Sequence, residues 1–282
     1  MSSVSAWKVV FNHLSAKLKP LEITLNGNSL DAVSREYLPG GAYTTFRTYQ
    51  QDKALYLADH FARLEETARL ADSPIWFDHD QLRGAIREAI RQSGYAESRI
   101  RVTLDLKVSP GTFYISLEPL KTPSQADYQH GVKLVTVNMQ RFNPKAKLTD
   151  FISIAAKIRV DLLSDVNDGL LYGKEGQILE GMTSNFFAVR NGEIWTADED
   201  VLSGITRASV LDEARKAGFV VHLKGIQYSE IESLEEAFVT SASRGVLPVR
   251  KIDEVLLKVP GQITERLAEY YQRRIEKEIK PI

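Results

Sequence analysis

Apolar and polar residues alternate with a period of two in several short runs of the chain. Because successive side chains of a strand point to opposite faces, such runs predict strands with one buried face. The predicted strands occupy 41–49 (GAYTTFRTY), 99–106 (RIRVTLDL), 112–120 (TFYISLEPL), 131–139 (GVKLVTVNM), 219–223 (FVVHL) and 236–242 (EAFVTSA), with the short runs GLLYG, ILEG, SNFFAVR and EIWT between 169 and 196. Two turn sequences, Ser109-Pro110-Gly111 and Asn191-Gly192, predict hairpins.

Other segments repeat their apolar residues every three or four positions, which is typical of an amphipathic helix. These predicted helices occupy 57–70, 81–94, 149–163, 204–219 and 260–280. Asp78 or Asp80 can cap the second helix and Gly94 can end it, while Pro260 lies near the start of the last one. Both strands and helices are therefore predicted in each half of the chain.

The polar stretch KTPSQADYQH (121–130) interrupts the periodic pattern and predicts a domain boundary. We therefore expect an α+β protein with a small N-terminal domain (1–120), a linker (121–130) and a larger C-terminal domain (131–282). A chain of 282 residues is long enough for a core that buries a cofactor.

The amino-acid composition argues against several kinds of partner and site, so we do not expect them in this protein. The 36 Lys and Arg residues balance 37 Asp and Glu residues, so a nucleic acid or an anionic membrane is not expected as a partner. The chain has no cysteine, and its five histidines show no metal-ligand spacing, so neither a disulfide framework nor a metal site is expected. No run approaches the ~18 apolar residues of a membrane span, and the opening MSSVSAWKVV lacks the features of a signal peptide. We expect a cytoplasmic protein that acts on a small molecule.

Three kinds of group in the second half suggest a particular cofactor. Lys147 precedes Glu180 by 33 residues, and Leu202-Ser-Gly-Ile-Thr-Arg207 opens a predicted helix. An amine that bonds an aldehyde, a carboxylate that pairs with a ring nitrogen and a helix N-terminus that binds an anion together can hold pyridoxal phosphate.

Each of these residues also has a plain structural interpretation. Lys147, Lys145 and Lys157 could each be a solvated surface lysine, and residue type alone does not choose among them. Glu180 could end a strand at the surface, and Ser203 or Thr206 could simply cap a helix. Similarly, Arg63 could lie on a helix surface, and the segment 240–244 (TSASR) could be an ordinary polar turn.

In combination and in chain order, these segments resemble the class IV pyridoxal-phosphate aminotransferases of fold type IV. That family includes branched-chain and D-amino-acid transaminases and aminodeoxychorismate lyase. The resemblance is carried by GGAYTTFRTY (40–49), the LxxHxxRL pattern (57–64), Lys147, EGMTSNFFAV (180–189), LSGITR (202–207) and FVTSASRGVLPV (238–249). These segments extend over most of the chain.

The resemblance implies a role for each matching residue. Lys147 would form the Schiff base with pyridoxal 5'-phosphate, since its spacing to Gly131 and to Glu180 is close to that of the family. Glu180 would pair with the pyridine nitrogen. Further cofactor-binding residues would be Arg63, Ser184, Asn185, Gly204, Ile205, Thr206, Ser241 and Ser243. Substrate contacts would come from Tyr43, Arg47 and Arg101.

The same resemblance implies an aminotransferase that moves an amino group between an amino acid and a 2-oxo acid, and a homodimer. Two departures keep other functions open. Asp150 and Phe151 stand where many members have asparagine and tyrosine, and phenylalanine cannot donate a hydrogen bond to the cofactor. Ala242 stands where the phosphate loop usually has threonine. The alternatives are a lyase of the aminodeoxychorismate type and a non-catalytic protein of the same fold.

Overall fold

The structure, a computed structural model, describes residues 4–11, 15–23 and 28–282. The chain divides into two compact units. The first unit comprises Met1–Lys121, Ala146–Ala156 and Glu278–Ile282, and the second comprises Thr122–Lys145 and Lys157–Lys277. All of the predicted helices and most of the predicted strands are present, which confirms the α+β class.

The elements up to the first boundary are strands β1 (Ser5–Phe11), β2 (Ala16–Pro20), β3 (Gly41–Arg47), β4 (Lys53–Ala54), β5 (Ser98–Asp105) and β6 (Phe113–Pro119), with helices α1 (Leu30–Glu36), α2 (Leu57–Leu70) and α3 (His79–Ser93). Helix α3 begins at Asp78, whose carboxylate accepts from the backbone N–H groups of Asp80 and Gln81, and ends at Gly94 in the left-handed conformation.

The remaining helices are α4 (Gln125–His130), α5 (Asp150–Asp161), α6 (Ile205–Lys216) and α7 (Gln262–Glu278), with a 3-10 helix at Tyr228–Ser233. The remaining strands are β7 (Val132–Asn138), β8 (Val166–Tyr172), β9 (Ile178–Gly181), β10 (Asn185–Arg190), β11 (Glu193–Trp195), β12 (Val221–His222), β13 (Glu236–Ser241), β14 (Gly245–Ile252), β15 (Val255–Leu256) and β16 (Lys280–Pro281).

The first unit is built on an antiparallel sheet with the strand order β2-β1-β6-β5-β3. In one of its apolar clusters, Phe61 and Leu64 of α2 and Ile86 of α3 meet the buried side chains of the sheet, such as Ile100 and Ile115. The period-two pattern of β5 and β6 and the helical spacing of α2 and α3 therefore bury their apolar residues together.

The exposed edge of this sheet at β3 receives a further short segment that carries Lys147. The backbone N–H of Tyr43 donates to the carbonyl of Lys147 (2.9 Å), and the N–H of Thr149 donates to the carbonyl of Gly41 (2.9 Å). Leu148 forms an isolated antiparallel bridge with Ala42. Lys147 is thus held by backbone hydrogen bonds to the edge strand of the first unit.

The second unit is built on a larger mixed sheet with the order β12-β11-β10-β13-β14-β7-β8-β9. Strand β9 also pairs with β10, with Glu180 opposite Asn185, so the strands from β10 round to β9 form a closed ring. Closure pairs the edges that an open sheet would expose. It also fixes Glu180 and Asn185 as cross-strand neighbours.

The compact units differ from the predicted boundaries in two places. The stretch 146–156 and the C-terminal residues 278–282 belong to the first unit. Both differences have the same cause: each stretch pairs with a strand of the first unit, 147–149 with β3 and Lys280–Pro281 with β4. Within the predicted linker, Ser124 and Asp127 form a capping box that starts α4.

Among the described residues, no helix combines the length and the apolar content that crossing a bilayer requires.

Candidate active site

The amine of Lys147 lies against an aromatic ring of the first unit. Its Nζ atom is 4.8 Å from the centre of the Tyr43 ring, and its backbone N–H donates to Thr67 Oγ1 (3.3 Å). Tyr43 is buried, while Lys147 is half-buried. A cation over a ring face is stabilised by the electron density of the ring, so Tyr43 orients the lysine side chain.

His60 is buried in the same unit. Its Nδ1 atom shares a hydrogen bond of 2.6 Å with Thr44 Oγ1, and its ring packs against Phe46. Burial lowers the pKa of His60 well below its ordinary value, and the positive charges of Arg63 and Lys147 lower it further. His60 is therefore neutral at physiological pH.

Arg63 is half-buried on α2, one turn after His60. Its charge and that of Lys147 both act on His60. The structure therefore brings Tyr43, His60, Arg63 and Lys147 together in the first unit.

Glu180 and Arg141 form a buried ion pair in the second unit. Arg141 Nε lies 2.9 Å from Glu180 Oε1, and the two side chains are only 6% and 3% exposed. The other carboxylate oxygen, Oε2, accepts from Asn185 Nδ2 and from the backbone N–H of Leu202, both at 3.2 Å. Such a buried charge is tolerated because a full positive charge and two donors compensate it. The interpretation of Glu180 as an exposed strand-end residue is excluded by this burial.

Asn185 connects this carboxylate to the start of α6. Its amide also donates to the carbonyl of Leu202 (2.7 Å). Gly204 is the N-cap of α6 and makes no side-chain capping bond, so the helix does not use the serine or threonine cap that the sequence suggested. A Cβ atom at Gly204 would lie 2.0 Å from Asn185 Oδ1. Only glycine fits there, and the backbone N–H groups of the first turn remain for an anion.

The residues of the second unit that were predicted to bind the cofactor also include Thr206, Ser184, Ser241 and Ser243. Thr206 is buried, and its hydroxyl is 3.5 Å from that of Tyr271. Ser184 donates to Asp168 Oδ2 (2.9 Å), so its hydroxyl proton has a protein acceptor. Ser241 and Ser243 are half-buried in the turn between β13 and β14.

The two arginines predicted to bind substrate differ in their surroundings. Arg101 is 2% exposed, and its guanidinium donates to Thr45 Oγ1, to the carbonyl of Leu30, to Ser34 Oγ and to Asp31 Oδ1. Arg47 is half-buried, and its Nη2 atom pairs with Glu97 Oε2 at 2.6 Å. Arg101 is therefore saturated by protein acceptors, whereas Arg47 retains part of its surface.

Sequence reasoning left three charged residues of the second unit without a role. Arg141 is the ion partner of Glu180. Asp168 is fully buried, and Arg244 contacts it at 3.6 Å. An isolated aspartate in an apolar strand, as in VNDGLLY, is a signal that could have identified Asp168, because a buried carboxylate requires partners.

Within each unit, separate groups have the chemistry that pyridoxal phosphate requires. The carboxylate of Glu180 is buried and directed by three partners, as a group that pairs with a ring nitrogen requires. The Gly204 cradle at the start of α6 offers unbonded N–H groups for a phosphate. Lys147 offers the amine. No group of three or more potential metal ligands occurs within the described ranges.

Comparison with known proteins agrees with this chemistry. The family model for amino-transferase class IV matches residues 41–252. A probable branched-chain-amino-acid aminotransferase of Thermotoga maritima is 29% identical over 255 residues, which cover 86% of this chain and 90% of that protein. A putative branched-chain-amino-acid aminotransferase of Methanocaldococcus jannaschii is 25% identical over 82% of this chain and 86% of that protein.

Solved structures show the same fold. The crystal structure of a putative branched-chain amino acid aminotransferase from Thermotoga maritima superimposes with a TM-score of 0.78 at 27% identity, covering 97% of this chain and 96% of that one. The branched-chain aminotransferase of Thermoproteus uzoniensis with norvaline gives a TM-score of 0.76 at 23% identity, covering 98% of this chain and 99% of that one. The predicted two-domain fold type IV architecture is confirmed. The chain thus belongs to the class IV amino-transferase family and is a pyridoxal-phosphate-dependent transaminase that moves an amino group between an amino acid and a 2-oxo acid.

Proposed function

We propose that this transaminase acts on branched-chain amino acids, with Lys147 as its catalytic amine. The substrate class is supported by the names of the relatives that cover most of the chain. The observation that carries the catalytic assignment is the amine of Lys147 over the buried Tyr43 ring, beside a histidine that carries no charge. Neither Lys145 nor Lys157 has such surroundings: Lys145 is exposed and donates to the carbonyl of Asp198 (2.5 Å), and Lys157 is exposed on α5.

When bound, pyridoxal phosphate supplies an aldehyde that bonds amines and a ring that accepts electrons from the substrate's α-carbon. Lys147 would hold the cofactor through its amine and, once an amino acid has taken its place, would act as the base and acid that moves a proton of the substrate. The charges of Arg63 and Lys147 both act on His60 and keep that imidazole neutral.

Glu180 binds the pyridine nitrogen and keeps it protonated. Its support is the buried position and the three partners that hold its carboxylate in one orientation. Asn185 and Arg141 position this carboxylate. A preorganised charge of this kind stabilises the electron-accepting ring without reorganisation during the reaction.

The phosphate is bound by a guanidinium and by neutral donors. Arg63 supplies the positive charge, and the α6 start supplies the N–H groups of Ile205 and Thr206 next to Gly204. Further donors come from the hydroxyl groups of Ser241 and Ser243, with Ser184 supporting the adjacent turn through Asp168. Ala242 supplies no hydroxyl, so its serine neighbours replace the threonine of other family members.

Arg47 recognises the substrate carboxylate, because a planar guanidinium binds a carboxylate through two parallel hydrogen bonds. It keeps an accessible surface, while Arg101 is committed to four protein acceptors. Tyr43 lies on the same strand and contacts the lysine.

The active form is a homodimer located in the cytoplasm. Several large apolar side chains of the second unit are strongly exposed, among them Phe142 at 102%, Val160 at 83% and Leu163 at 67%, and a second subunit would cover such residues. A chain without cysteine does not need an oxidising compartment to fold. Light scattering that finds an active monomer at the assay concentration would exclude the dimer.

The substrate proposal is tested by titrating the yellow protein with L- and D-forms of valine, leucine, isoleucine, alanine and glutamate. We expect L-valine, L-leucine and L-isoleucine to bleach the absorbance of the bound cofactor and to yield their 2-oxo acids. Bleaching by another amino acid alone would replace the branched-chain assignment. In a separate assay with added aminodeoxychorismate and no amino acid, release of pyruvate and an aromatic product would instead identify a lyase.

A further inference from the structure

The turn between β13 and β14 carries an arginine that contacts the neighbouring serine. Arg244 Nε donates to Ser241 Oγ (3.0 Å). A serine hydroxyl has one proton and two lone pairs. Because Arg244 occupies a lone pair of Ser241, the proton of that hydroxyl is directed to another acceptor, such as an oxygen of a phosphate.

The other two nitrogens of Arg244 join this turn to two more segments. Nη1 donates to Asn167 Oδ1 (3.0 Å) on β8, and Nη2 donates to the carbonyl (3.1 Å) and to Oγ1 (2.9 Å) of Thr183. The planar guanidinium has rigidly spaced donors, so it fixes all three segments at once. A lysine could not reproduce this set of contacts.

Asp168, in the interior of the second unit, links the Thr183 segment to Arg244. Its Oδ2 atom accepts from the backbone N–H and the hydroxyl of Thr183 (3.2 and 2.8 Å) and from the hydroxyl of Ser184 (2.9 Å), and it lies 3.6 Å from Arg244 Nη2. The hydroxyl of Thr183 therefore donates to Asp168 and accepts from Arg244. A fully buried carboxylate thereby sets the position of an arginine that is only 16% exposed.

We propose that Arg244 is a positioning residue that, with Asp168, holds the turn 241–244 in place and presets the Ser241 hydroxyl as a donor to the cofactor phosphate. This inference rests on the proposed phosphate-binding role of Ser241. It assigns to Arg244 no direct contact with the cofactor. Its effect therefore passes through Ser241 and is specific to ligands that carry a phosphate.

The test compares the affinities of pyridoxal phosphate and pyridoxal, which lacks the phosphate, for the full chain freed of cofactor. We expect Arg244→Gln to weaken binding of pyridoxal phosphate by about ten- to a hundredfold and to leave pyridoxal unaffected. Ser241→Ala should weaken pyridoxal phosphate as well, and should add little in the Arg244→Gln background because the two residues act as one unit. The control is Arg250→Gln, at an exposed arginine of the adjoining strand β14, which should bind both ligands as the parent does.

Unchanged affinity for pyridoxal phosphate in Arg244→Gln, an equal loss for both ligands, or fully additive effects with Ser241→Ala would overturn the proposal. If Arg244→Gln does not fold, as judged by circular dichroism, Arg244→Lys is decisive on the same criteria. Failure of the underlying phosphate role is distinguishable, because the Ser241→Ala protein would then bind both ligands as the parent does.

Discussion

The two units hold their charged groups in different ways. In the first unit Lys147 is fixed through its backbone, its amine lies over the Tyr43 ring, and its charge acts on the neutral His60. In the second unit Glu180 and Asp168 are buried carboxylates, each surrounded by donors from several segments. A group that moves protons needs freedom at its tip, whereas groups that stabilise charge work best when fixed in advance. On the proposed roles, the first unit supplies the group that transfers protons, and the second supplies the charges that are fixed in advance.

The largest effect is expected at Lys147. Lys147→Ala should lower kcat by about a thousandfold or more, since both the covalent attachment and the proton transfer are lost. Borohydride reduction and peptide mapping of the parent should place the pyridoxyl group on Lys147. Lys157→Ala, at an exposed lysine of α5, is the matched control and should keep parent activity. A pyridoxyl group on Lys145 or Lys157 would contradict the assignment.

A substitution of Glu180 tests whether the second unit stabilises charge through a carboxylate that is held in place. Glu180→Gln should keep the cofactor bound but lower kcat by about 10²–10³-fold, because a neutral amide no longer holds the ring nitrogen protonated. Stopped-flow absorbance of the half-reaction measures this step directly. Glu230→Gln, at a half-exposed carboxylate of the same unit, should leave the rate unchanged. Turnover near that of the parent in Glu180→Gln would reduce Glu180 to a structural residue.

Arg63 tests whether the first unit also supplies a fixed charge. Loss of a guanidinium from a phosphate site should cost about 3 kcal/mol of cofactor affinity. Fluorescence titration of Arg63→Ala with pyridoxal phosphate measures this loss of affinity. Arg69→Ala serves as the control, since Arg69 is exposed on the same helix and pairs only with Glu66. Equal affinities in all three proteins would make Arg63 an ordinary surface residue.

Substitutions of the two arginines in the sheet of the first unit should have different effects, one on substrate binding and the other on stability. Arg47→Gln should raise KM about tenfold for an amino acid but not for the corresponding decarboxylated amine. Arg101→Gln should instead lower the free energy of unfolding by about 1–3 kcal/mol, since it leaves buried acceptors without a donor. Urea unfolding and steady-state kinetics of both variants measure these effects. Equal changes in KM for both substrates would show that neither arginine reads the carboxylate.

The smallest expected effect concerns pH. The folded state lowers the pKa of His60 below its ordinary value of 6.5, so the unfolded chain binds its proton first as the pH falls. This contribution to stability is complete above pH 6.5 and is lost below it, at a rate of about 1.4 kcal/mol per pH unit at most. Urea unfolding between pH 7.5 and 5.5 should show a steeper loss in the parent than in His60→Gln. Identical pH dependences would mean that His60 does not titrate in this range.

Much of the local structure followed from periodicity, because a helix or hairpin is specified by residues that are close in sequence. Helix α2 occupies the predicted residues 57–70, and Asn191-Gly192 adopts the positive φ angles (52° and 70°) of a hairpin turn. Strands β1 and β2 and helix α1 were not predicted. Each of these segments has seven residues or fewer, which is too short to show a clear period, and β2 has no fully buried residue.

The sequence by itself determined the order and spacing of the groups that define the family: Lys147, Glu180 and the start of α6. The tertiary structure alone decided their partners. Arg141 meets Glu180 across 39 positions of the chain, Arg101 meets Asp31 across 70, and Arg244 meets Thr183 across 61. No local pattern encodes such pairs, because each depends on which strands become neighbours and on how completely water is removed from the charges. For the same reason Lys147 belongs to the first unit, where the edge of β3 accepts its backbone.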